Sequence, residues 1–182
     1  MKIICISGKA QAGKDTSANF MKEILENEYN KNVLIIHNAD LLKYMCKNIF
    51  NWNGVKDEKG RTLLQYVGTD VIRKQKPDFW VSFICDVVTM FPKYWDYVLI
   101  PDCRFPNEIE CLKNTEHEVI HIRVWRPNYD NGLTEEQKNH PSETALDDVE
   151  PDYIIENSYT LDNLKQLNLL VIDHIEGKKI NG

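Results

Sequence analysis

The chain lacks long hydrophobic runs and has no surplus of positive charge. No segment approaches the roughly 20 apolar residues of a membrane-spanning helix, and the N-terminal apolar stretch is too short for a signal peptide. The formal net charge is −6, whereas surfaces that bind nucleic acids or acidic membranes are basic. We therefore expect a cytoplasmic protein that binds neither nucleic acid nor membrane, and any phosphate site must be locally basic.

The cysteines also lack the spacing of a disulfide framework or a zinc site. The five cysteines are scattered, and no pair forms CxxC, a pattern typical of reduced thiols. A chain of 182 residues with 42% hydrophobic content can bury one core but is short for two independent domains. We expect a single domain over residues 1–182.

What the sequence does contain is a glycine-rich loop near its N-terminus. Residues 8–16 read GKAQAGKDT, after the apolar run 3–6 and before a helical pattern. A GxxxxGK loop between a strand and a helix turns successive backbone N–H groups inward, so that they cradle an anion with the helix N-terminus. Lys14 then reaches the terminal phosphates and is a candidate catalytic residue. The predicted ATP-binding residues are Gly8, Ala10, Ala12, Gly13, Lys14, Asp15 and Thr16.

The loop departs from the common signature at Asp15, where a serine or threonine usually holds Mg²⁺. Thr16 supplies a hydroxyl one position later. A bare carboxylate would be repelled by a triphosphate, so Asp15 should face Mg²⁺, its water shell or an arginine. Asp102, at the end of an apolar strand, is a third candidate magnesium ligand, directly or through water. The alternative is that Asp102 pairs with Arg104 and caps the next helix.

Strand and helix patterns alternate along the chain, which predicts an α/β fold. A mostly parallel sheet with helices on both faces is the economical solution, and ligands of such a fold bind at the carboxyl ends of the strands. The polar segment 126–141 exceeds the usual connection length and predicts a mobile flap, or else a loop without function. We predict strands over 3–6, 33–36, 97–100, 119–124 and 153–155, and helices after residue 16 and from about residues 40, 62, 78, 107 and 161.

Basic residues fall at element edges that would face a common cleft: Lys43, Arg61, Arg73 and Arg126. Moving a phosphoryl group between two phosphates gathers negative charge, for which guanidinium groups are the natural clamp. We favour Arg73 and Arg126 as catalytic residues, because flap closure could deliver Arg126 to the transferring group and exclude water.

Two other motifs are discounted. Residues 117–121 spell HExxH, but the β-branched residues around them predict a strand, where positions four apart lie roughly 13 Å from each other and cannot share one zinc ion. Residues 57–60 match the DxxG of GTPases but follow a polar loop instead of a buried strand. The sequence favours neither a zinc protease nor a GTPase.

Five segments, taken in order, resemble the phage-type deoxynucleoside monophosphate kinases. They are the GKDT loop, Ala39-Asp40 with Lys43, residues 64–70 (LQYVGTD) leading to Arg73 and Trp80-Val81, residues 102–108 (DCRFPNE) and residues 140–144 (HPSET). The resemblance spans nearly the whole chain. It implies a three-layer P-loop NTPase fold related to adenylate kinase, with a helical NMP-binding region at about 38–92 and a lid at about 126–142.

The resemblance further implies transfer of the γ-phosphoryl group of ATP to a deoxynucleoside 5′-monophosphate, with Mg²⁺, and a homodimer. Ser142 and Glu143 either contact the acceptor or cap the helix after the flap, and Trp80 with Phe105 either sandwiches a base or belongs to the core. The candidate acceptor-binding residues are Asp40, Lys43, Arg61, Gln65, Arg73, Trp80, Arg104, Ser142 and Glu143.

Two other functions remain open from the residues. One is a kinase for another metabolite, such as dephospho-coenzyme A or phosphomevalonate, in which a hydroxyl acceptor would recruit Asp15 or Asp40 as a base. The other is a nucleotide-binding regulator without transfer activity. A phosphate acceptor is already ionised near neutral pH, its second pKa being about 6, so its phosphorylation needs positioning and charge neutralisation more than a base. The many candidate cations favour that acceptor.

Overall fold

Five parallel strands form a single sheet in the order β2-β3-β1-β4-β5 in the computed structural model, which describes residues 1–178. The central strand β1 pairs with β3 and β4, so that Ile4 lies opposite both Leu99 and Ile120. The predicted parallel sheet is confirmed. The strands are β1 (Lys2–Ser7), β2 (Val33–Ile35), β3 (Tyr97–Ile100), β4 (Glu118–Trp125) and β5 (Tyr153–Glu156).

Helices cover both faces of this sheet. Side chains alternate across a strand, so Ile4 and Ile6 pack toward α1 and α8 while Ile3 and Cys5 pack toward α4 and α5. This arrangement confirms the three-layer α/β fold. The helices are α1 (Lys14–Tyr29), α2 (Ala39–Asn48), α3 (Glu58–Gln65), α4 (Phe79–Met90), α5 (Pro106–Lys113), α6 (Glu135–Lys138), α7 (Pro141–Thr144) and α8 (Leu161–Ile175), with a π-helical segment over Tyr66–Arg73.

The helical region between β2 and β3 has a small core of its own. Cys46, Trp52 and Val67 are buried together there, apart from the two faces of the sheet. Helix α3 begins at Glu58, four residues before the predicted start near residue 62, because the Asp57 side chain accepts a hydrogen bond from Gly60 N at 2.8 Å and caps it. Because the first turn of α3 is polar, its sequence pattern is typical of a loop.

The HExxH residues lie where the strand prediction placed them. His117 precedes β4 and its Nε2 lies 3.1 Å from Val88 O, whereas His121 lies within β4 and its Nε2 is 2.7 Å from Ser7 Oγ. Within residues 1–178, no three His, Cys, Asp or Glu side chains are arranged to hold a metal ion. None of the helices in that part of the chain is long and apolar enough to cross a bilayer.

Candidate active site

The loop after β1 needs glycine at both of its signature positions. Gly8 has φ +143° and Gly13 has φ +103°, conformations that side chains rarely adopt. A Cβ at Gly8 would lie 2.2 Å from Val124 O, and one at Gly13 would lie 2.6 Å from Asn157 Nδ2. The chain therefore makes the tight strand-to-helix turn of an anion-binding loop, with α1 starting at Lys14.

Lys14 lies inside the loop, with only 7% of its surface exposed. Its Nζ donates to the carbonyl oxygens of Gly8 and Lys9, each at 2.8 Å. Burial, together with repulsion from Arg104, lowers the pKa of Lys14 to about 8. No carboxylate is hydrogen-bonded to this ammonium group among the described residues, so a bound phosphate would supply its missing counter-charge.

A groove runs from the loop to the start of α8. Thr16 lines it, as do Arg126, Asn157 and Tyr159. Arg126 Nη1 lies 3.4 Å from Gln11 O, and its guanidinium stacks on the ring of Tyr129 at 3.6 Å. Arg126 therefore lies on the P-loop side, where the predicted flap begins.

Asp15 faces a histidine. Its Oδ1 lies 2.9 Å from His37 Nε2, and its side chain is 74% exposed. This hydrogen bond lowers the pKa of Asp15 and raises the pKa of His37, because the ionised forms attract each other. Asp15 is therefore ionised beside the loop. The structure pairs it with an imidazole, where we expected Mg²⁺, its water shell or an arginine.

Asp102 caps α2, not the helix that follows it in the chain. Its two carboxylate oxygens accept the backbone N–H groups of Asn38 and Ala39, each at 2.9 Å. The start of α5 is bonded instead by Glu108, whose Oε2 accepts from Arg104 N at 2.7 Å. Asp102 thus fixes the end of β3 to the start of α2, at the carboxyl edge of the sheet.

A second cavity opens next to the loop, between the helical region and the flap. All the predicted acceptor residues line it except Asp40. Because α2 begins at Ala39, Asp40 lies in its first turn and not at its cap. There its carboxylate accepts from Lys43 Nζ at 2.9 Å and lies 3.4 Å from the His37 ring. The cavity is lined by Lys43, Arg61, Gln65, Arg73, Trp80, Arg104, Ser142 and Glu143, joined by Asn38, Lys56, Thr69, Phe105 and others.

Cations crowd one part of this cavity. The pKa of Lys56 is lowered, first by burial and then by repulsion from Lys43, Arg104 and Arg61, with Asp15 acting in the opposite direction. Positive side chains held this close together favour an anionic ligand, which would relieve their repulsion. A phosphate-bearing molecule therefore fits the cavity.

A sequence profile of the family described as deoxynucleotide monophosphate kinase matches residues 23–167, most of the chain. The chain belongs to the deoxynucleotide monophosphate kinase family. It is therefore a phosphotransferase that passes the γ-phosphoryl group of ATP to a deoxynucleoside monophosphate, and the predicted family and activity are confirmed.

Two viral relatives carry the same name. The chain is 24% identical, over an alignment of 204 positions, to a putative deoxynucleotide monophosphate kinase of Acanthamoeba polyphaga mimivirus. The alignment covers 96% of this chain and 97% of the relative. It is 30% identical over 115 residues to the deoxynucleotide monophosphate kinase of Enterobacteria phage T4, covering 62% of this chain and 45% of the phage protein.

Solved kinase structures share the fold at low identity. An APS kinase of Mycobacterium tuberculosis, in complex with AMPPNP and APS, has a TM-score of 0.57 at 13% identity and covers 97% of this chain and 98% of its own. A dephospho-CoA kinase from Campylobacter jejuni has a TM-score of 0.55 at 14% identity. The match covers 96% of this chain and 97% of the dephospho-CoA kinase chain. These likenesses support the P-loop kinase fold alone.

In this kinase, Arg73 belongs to a buried ion pair on the cavity wall. Its Nη2 lies 2.5 Å from Glu108 Oε1, with side chains only 11% and 2% exposed. Burial raises the pKa of Glu108, which the positive charge of Arg73 opposes. The guanidinium also stacks on Phe105 at 3.9 Å. The pair therefore holds the wall in place, since removing one partner would strand a buried charge.

Trp80 is part of the core and of the cavity wall at once. It is 4% exposed, its ring packs edge-on against Phe79, and its indole N–H donates to Gly68 O at 3.0 Å. This bond fastens α4 to the π-helical segment. Of the two interpretations made from the sequence, packing in the core accounts for the contacts of Trp80.

Glu143 joins the flap to the phosphate-binding loop. Its Oε2 accepts from Ala10 N at 2.8 Å, and its Oε1 accepts from Arg104 Nη1. Arg104 Nη1 also donates to Ser142 O at 2.7 Å. Helix α7 is capped by His140, whose Nδ1 accepts from Ser142 N at 3.2 Å, so neither Ser142 nor Glu143 acts as the cap.

Sequence reasoning missed Asn38 and Lys56 in the cavity. Lys56 lies in a polar stretch that we interpreted as a loop. The one feature of the sequence that could have identified it is its position as a basic residue just before the capped helix α3. Asn38 lies between a strand and a helix, a position at which an asparagine is usually interpreted as the N-cap of the helix. Neither position belongs to a motif. Both line the cavity because α2 packs on α3 and because Asp102, after β3, bonds the start of α2.

Proposed function

We propose that the kinase binds ATP along the P-loop groove and its deoxynucleoside monophosphate in the adjacent cation-lined cavity. The observation that carries this assignment is the wall between the two sites. Arg104 lines the cavity and contacts Glu143, which in turn accepts from Ala10 N in the loop. A chain of hydrogen bonds therefore joins the loop to the cavity wall, which supports a donor phosphate and an acceptor phosphate held side by side.

The transfer joins an acceptor phosphate oxygen to the γ-phosphorus while the bond from that phosphorus to the β,γ-bridging oxygen breaks, leaving ADP. Lys14 neutralises the donor phosphates, and Arg104 with Lys43 and Arg61 holds the acceptor phosphate. No general base is needed because that phosphate is ionised at neutral pH. The position of Asp40, outside the cavity lining, agrees with a reaction that uses none.

Arg126 acts from the donor side in this proposal. It lies between the groove and the flap, next to Gln11 O, and closure of residues 126–142 would bring it to the transferring group. Arg73 acts less directly, by holding Phe105 and the cavity wall through Glu108. We therefore assign the larger catalytic effect to Lys14 and Arg126.

Mg²⁺ is the cofactor in this proposal, and the residues present fit it. Thr16 offers a hydroxyl in the groove and Asp15 an ionised carboxylate beside it, oxygen ligands of the kind that Mg²⁺ accepts along with phosphate and water. Asp102 would act through water, since both its oxygens accept backbone N–H groups. The ion would neutralise phosphate charge as it develops.

The parts of the molecule take the roles expected from the family. We assign residues at about 38–92 to the acceptor-binding region and those at about 126–142 to the lid of one domain. The cavity, which residues of both segments line, supports this assignment. A cytoplasmic homodimer acting on free nucleotides, with no nucleic acid or membrane partner, completes the proposal. Phe83, Met90 and Tyr94 support the dimer as large apolar side chains that are more than half exposed; light scattering after size-exclusion chromatography tests it.

A substrate panel tests the function. The purified protein is incubated with ATP, Mg²⁺ and each deoxynucleoside monophosphate, ribonucleoside monophosphate, dephospho-coenzyme A and phosphomevalonate, and ADP release and product are quantified by chromatography. We expect deoxynucleoside diphosphate to form in equal amount to ADP. Turnover of a metabolite alone, or ATP binding without any transfer, would overturn the proposal.

A further inference from the structure

Asn38 is a buried polar residue of the acceptor cavity whose side chain has no partner. It is 5% exposed and lines the cavity, and neither its Nδ2 nor its Oδ1 makes a hydrogen bond to any residue of 1–178. Buried amide groups are nearly always hydrogen-bonded. Both amide atoms lie buried in the cavity wall, so the missing partner would come from a ligand that packs against that wall.

The ordinary role of an asparagine at this position does not explain it. Asn38 immediately precedes α2, where a capping side chain would accept from a backbone N–H of the first turn. Its backbone is instead helical, with φ −55° and ψ −34°, and its side chain makes no capping bond. Asp102 bonds the N–H groups of Asn38 and Ala39 in its place. The backbone is thus held while the carboxamide is left free.

We propose that Asn38 is a specificity-determining residue whose carboxamide hydrogen-bonds the sugar–phosphate end of the acceptor nucleotide. The inference rests on the proposed function and deepens it. Asn38 lies on the P-loop side of the cavity, because the neighbouring His37 contacts Asp15 and its own backbone contacts Asp102.

The chemistry of the amide narrows the ligand class. A carboxamide offers two donors and one acceptor without charge, so a phosphate oxygen and a sugar hydroxyl together satisfy it. The cations Lys43, Lys56 and Arg104 attract any small anion. Asn38, in contrast, is completed only by a ligand that holds a phosphate oxygen and a hydroxyl at the separation that a sugar phosphate gives them. It therefore favours a phosphorylated sugar over inorganic phosphate.

Asn38→Ala tests the proposal by two independent readouts. The variant loses no hydrogen bond in the unliganded protein, so its thermal midpoint should equal or exceed that of the wild type. Its KM for the acceptor should rise about tenfold, the loss of one good hydrogen bond, with the KM for ATP changed by less than about twofold. The rise in midpoint caused by the deoxynucleoside monophosphate should shrink by a larger factor than the rise caused by inorganic phosphate, which has no sugar hydroxyl to lose.

Two further variants sharpen the test. Asn38→Asp keeps the shape but replaces the donors with a negative charge, so it should raise the acceptor KM more than Asn38→Ala does. Asn48→Ala is the matched control, since Asn48 is the exposed last residue of α2 and its Nδ2 donates to Tyr44 O at 2.8 Å. It should leave the acceptor KM unchanged.

The possible outcomes distinguish a failure of the inference about Asn38 from a failure of the proposed function. An Asn38→Ala protein that unfolds at lower temperature, or does not fold, overturns the inference in favour of a structural role. An unchanged acceptor KM overturns it too. If the wild type neither binds nor phosphorylates deoxynucleoside monophosphates, the proposed function itself fails, whatever the Asn38 variants do.

Discussion

The two halves of the site differ in how their polar groups are satisfied before substrate arrives. On the donor side, Lys14 is bonded to the carbonyls of Gly8 and Lys9, and Ala10 N–H is bonded to Glu143. On the acceptor side, the carboxamide of Asn38 has no hydrogen-bond partner within residues 1–178. ATP must therefore exchange internal hydrogen bonds for its own. The acceptor must do the same at Arg104 and Lys43, but at Asn38 it completes a group that was left unpaired.

This difference predicts opposite responses to removing a polar group. A donor-side substitution breaks contacts of the resting protein as well as contacts with substrate. An acceptor-side substitution at an unpaired group affects only the liganded state. The predictions below test that contrast, beginning with the largest effect.

Lys14→Met should cut kcat/KM by roughly 10²- to 10³-fold, because it removes the cation that neutralises the donor phosphates during transfer. The rise in thermal midpoint caused by the deoxynucleoside monophosphate should persist, since the acceptor cavity is untouched. Initial rates and thermal melts measure the two effects. Lys22→Met, further along the same helix with a side chain 38% exposed, is the control; equal loss in both variants would remove Lys14 from the mechanism.

Arg73→Met should lower the free energy of unfolding by about 3 kcal/mol, because Glu108 would be left buried without its partner. Denaturant titration measures this loss. Adding Glu108→Gln should recover part of it. Lys74→Met, an adjacent residue whose side chain is 72% exposed, should change stability little. An unfolding free energy unchanged by Arg73→Met would contradict the role given to the pair.

Glu143→Gln should tighten ATP binding about threefold, since a charge-assisted bond that competes with phosphate for Ala10 N–H becomes a neutral one. Calorimetric titration with a non-hydrolysable ATP analogue measures the change. Glu136→Gln, on α6, provides a comparison with the same loss of charge. Weaker binding in Glu143→Gln would show that this carboxylate supports the loop and does not compete with ATP.

ATP affinity should fall as pH rises through about 8, where free Lys14 loses its proton. Bound phosphate raises the pKa of Lys14, so binding near pH 8 should take up protons, which calorimetry in buffers of different ionisation enthalpy detects. The free energy of unfolding of the unliganded protein should change in the opposite direction and rise with pH. The folded protein binds fewer protons than the unfolded chain between pH 8 and the ordinary lysine value of 10.5, so this group makes the unliganded protein more stable as pH rises there.

Lys14→Met should abolish both pH effects. A wild-type ATP affinity that stays level from pH 7 to about 9.5 would contradict the buried, partly desolvated lysine. Stability that falls over the same interval in wild type, but not in Lys14→Met, would contradict it as well.

The donor half was predictable because contiguous residues build it. Gly8 and Gly13 adopt backbone conformations that other residues avoid, and Lys14 starts α1 directly after them, so spacing alone identifies the loop. The strands followed from their β-branched runs, and HExxH was correctly assigned to one of them because periodicity outweighs a short motif.

The acceptor half depends on packing that spacing does not describe. Asp40 was predicted to meet the acceptor, but helical phase turns it toward Lys43, three residues away on the surface of α2. Asn38 went unnoticed because its lack of partners is a property of the folded cavity. Lys56 went unnoticed because Asp57 caps a helix whose polar first turn resembles a loop.

Crystals grown with both a non-hydrolysable ATP analogue and a deoxynucleoside monophosphate test the two-sided site most directly. The account predicts a triphosphate on the loop, with Lys14 turned from the carbonyls of Gly8 and Lys9 toward phosphate. It predicts a monophosphate in the cavity, bonded to Arg104 and Asn38. A monophosphate bound along the P-loop groove, or a cavity that stays empty at saturating nucleotide, would contradict it.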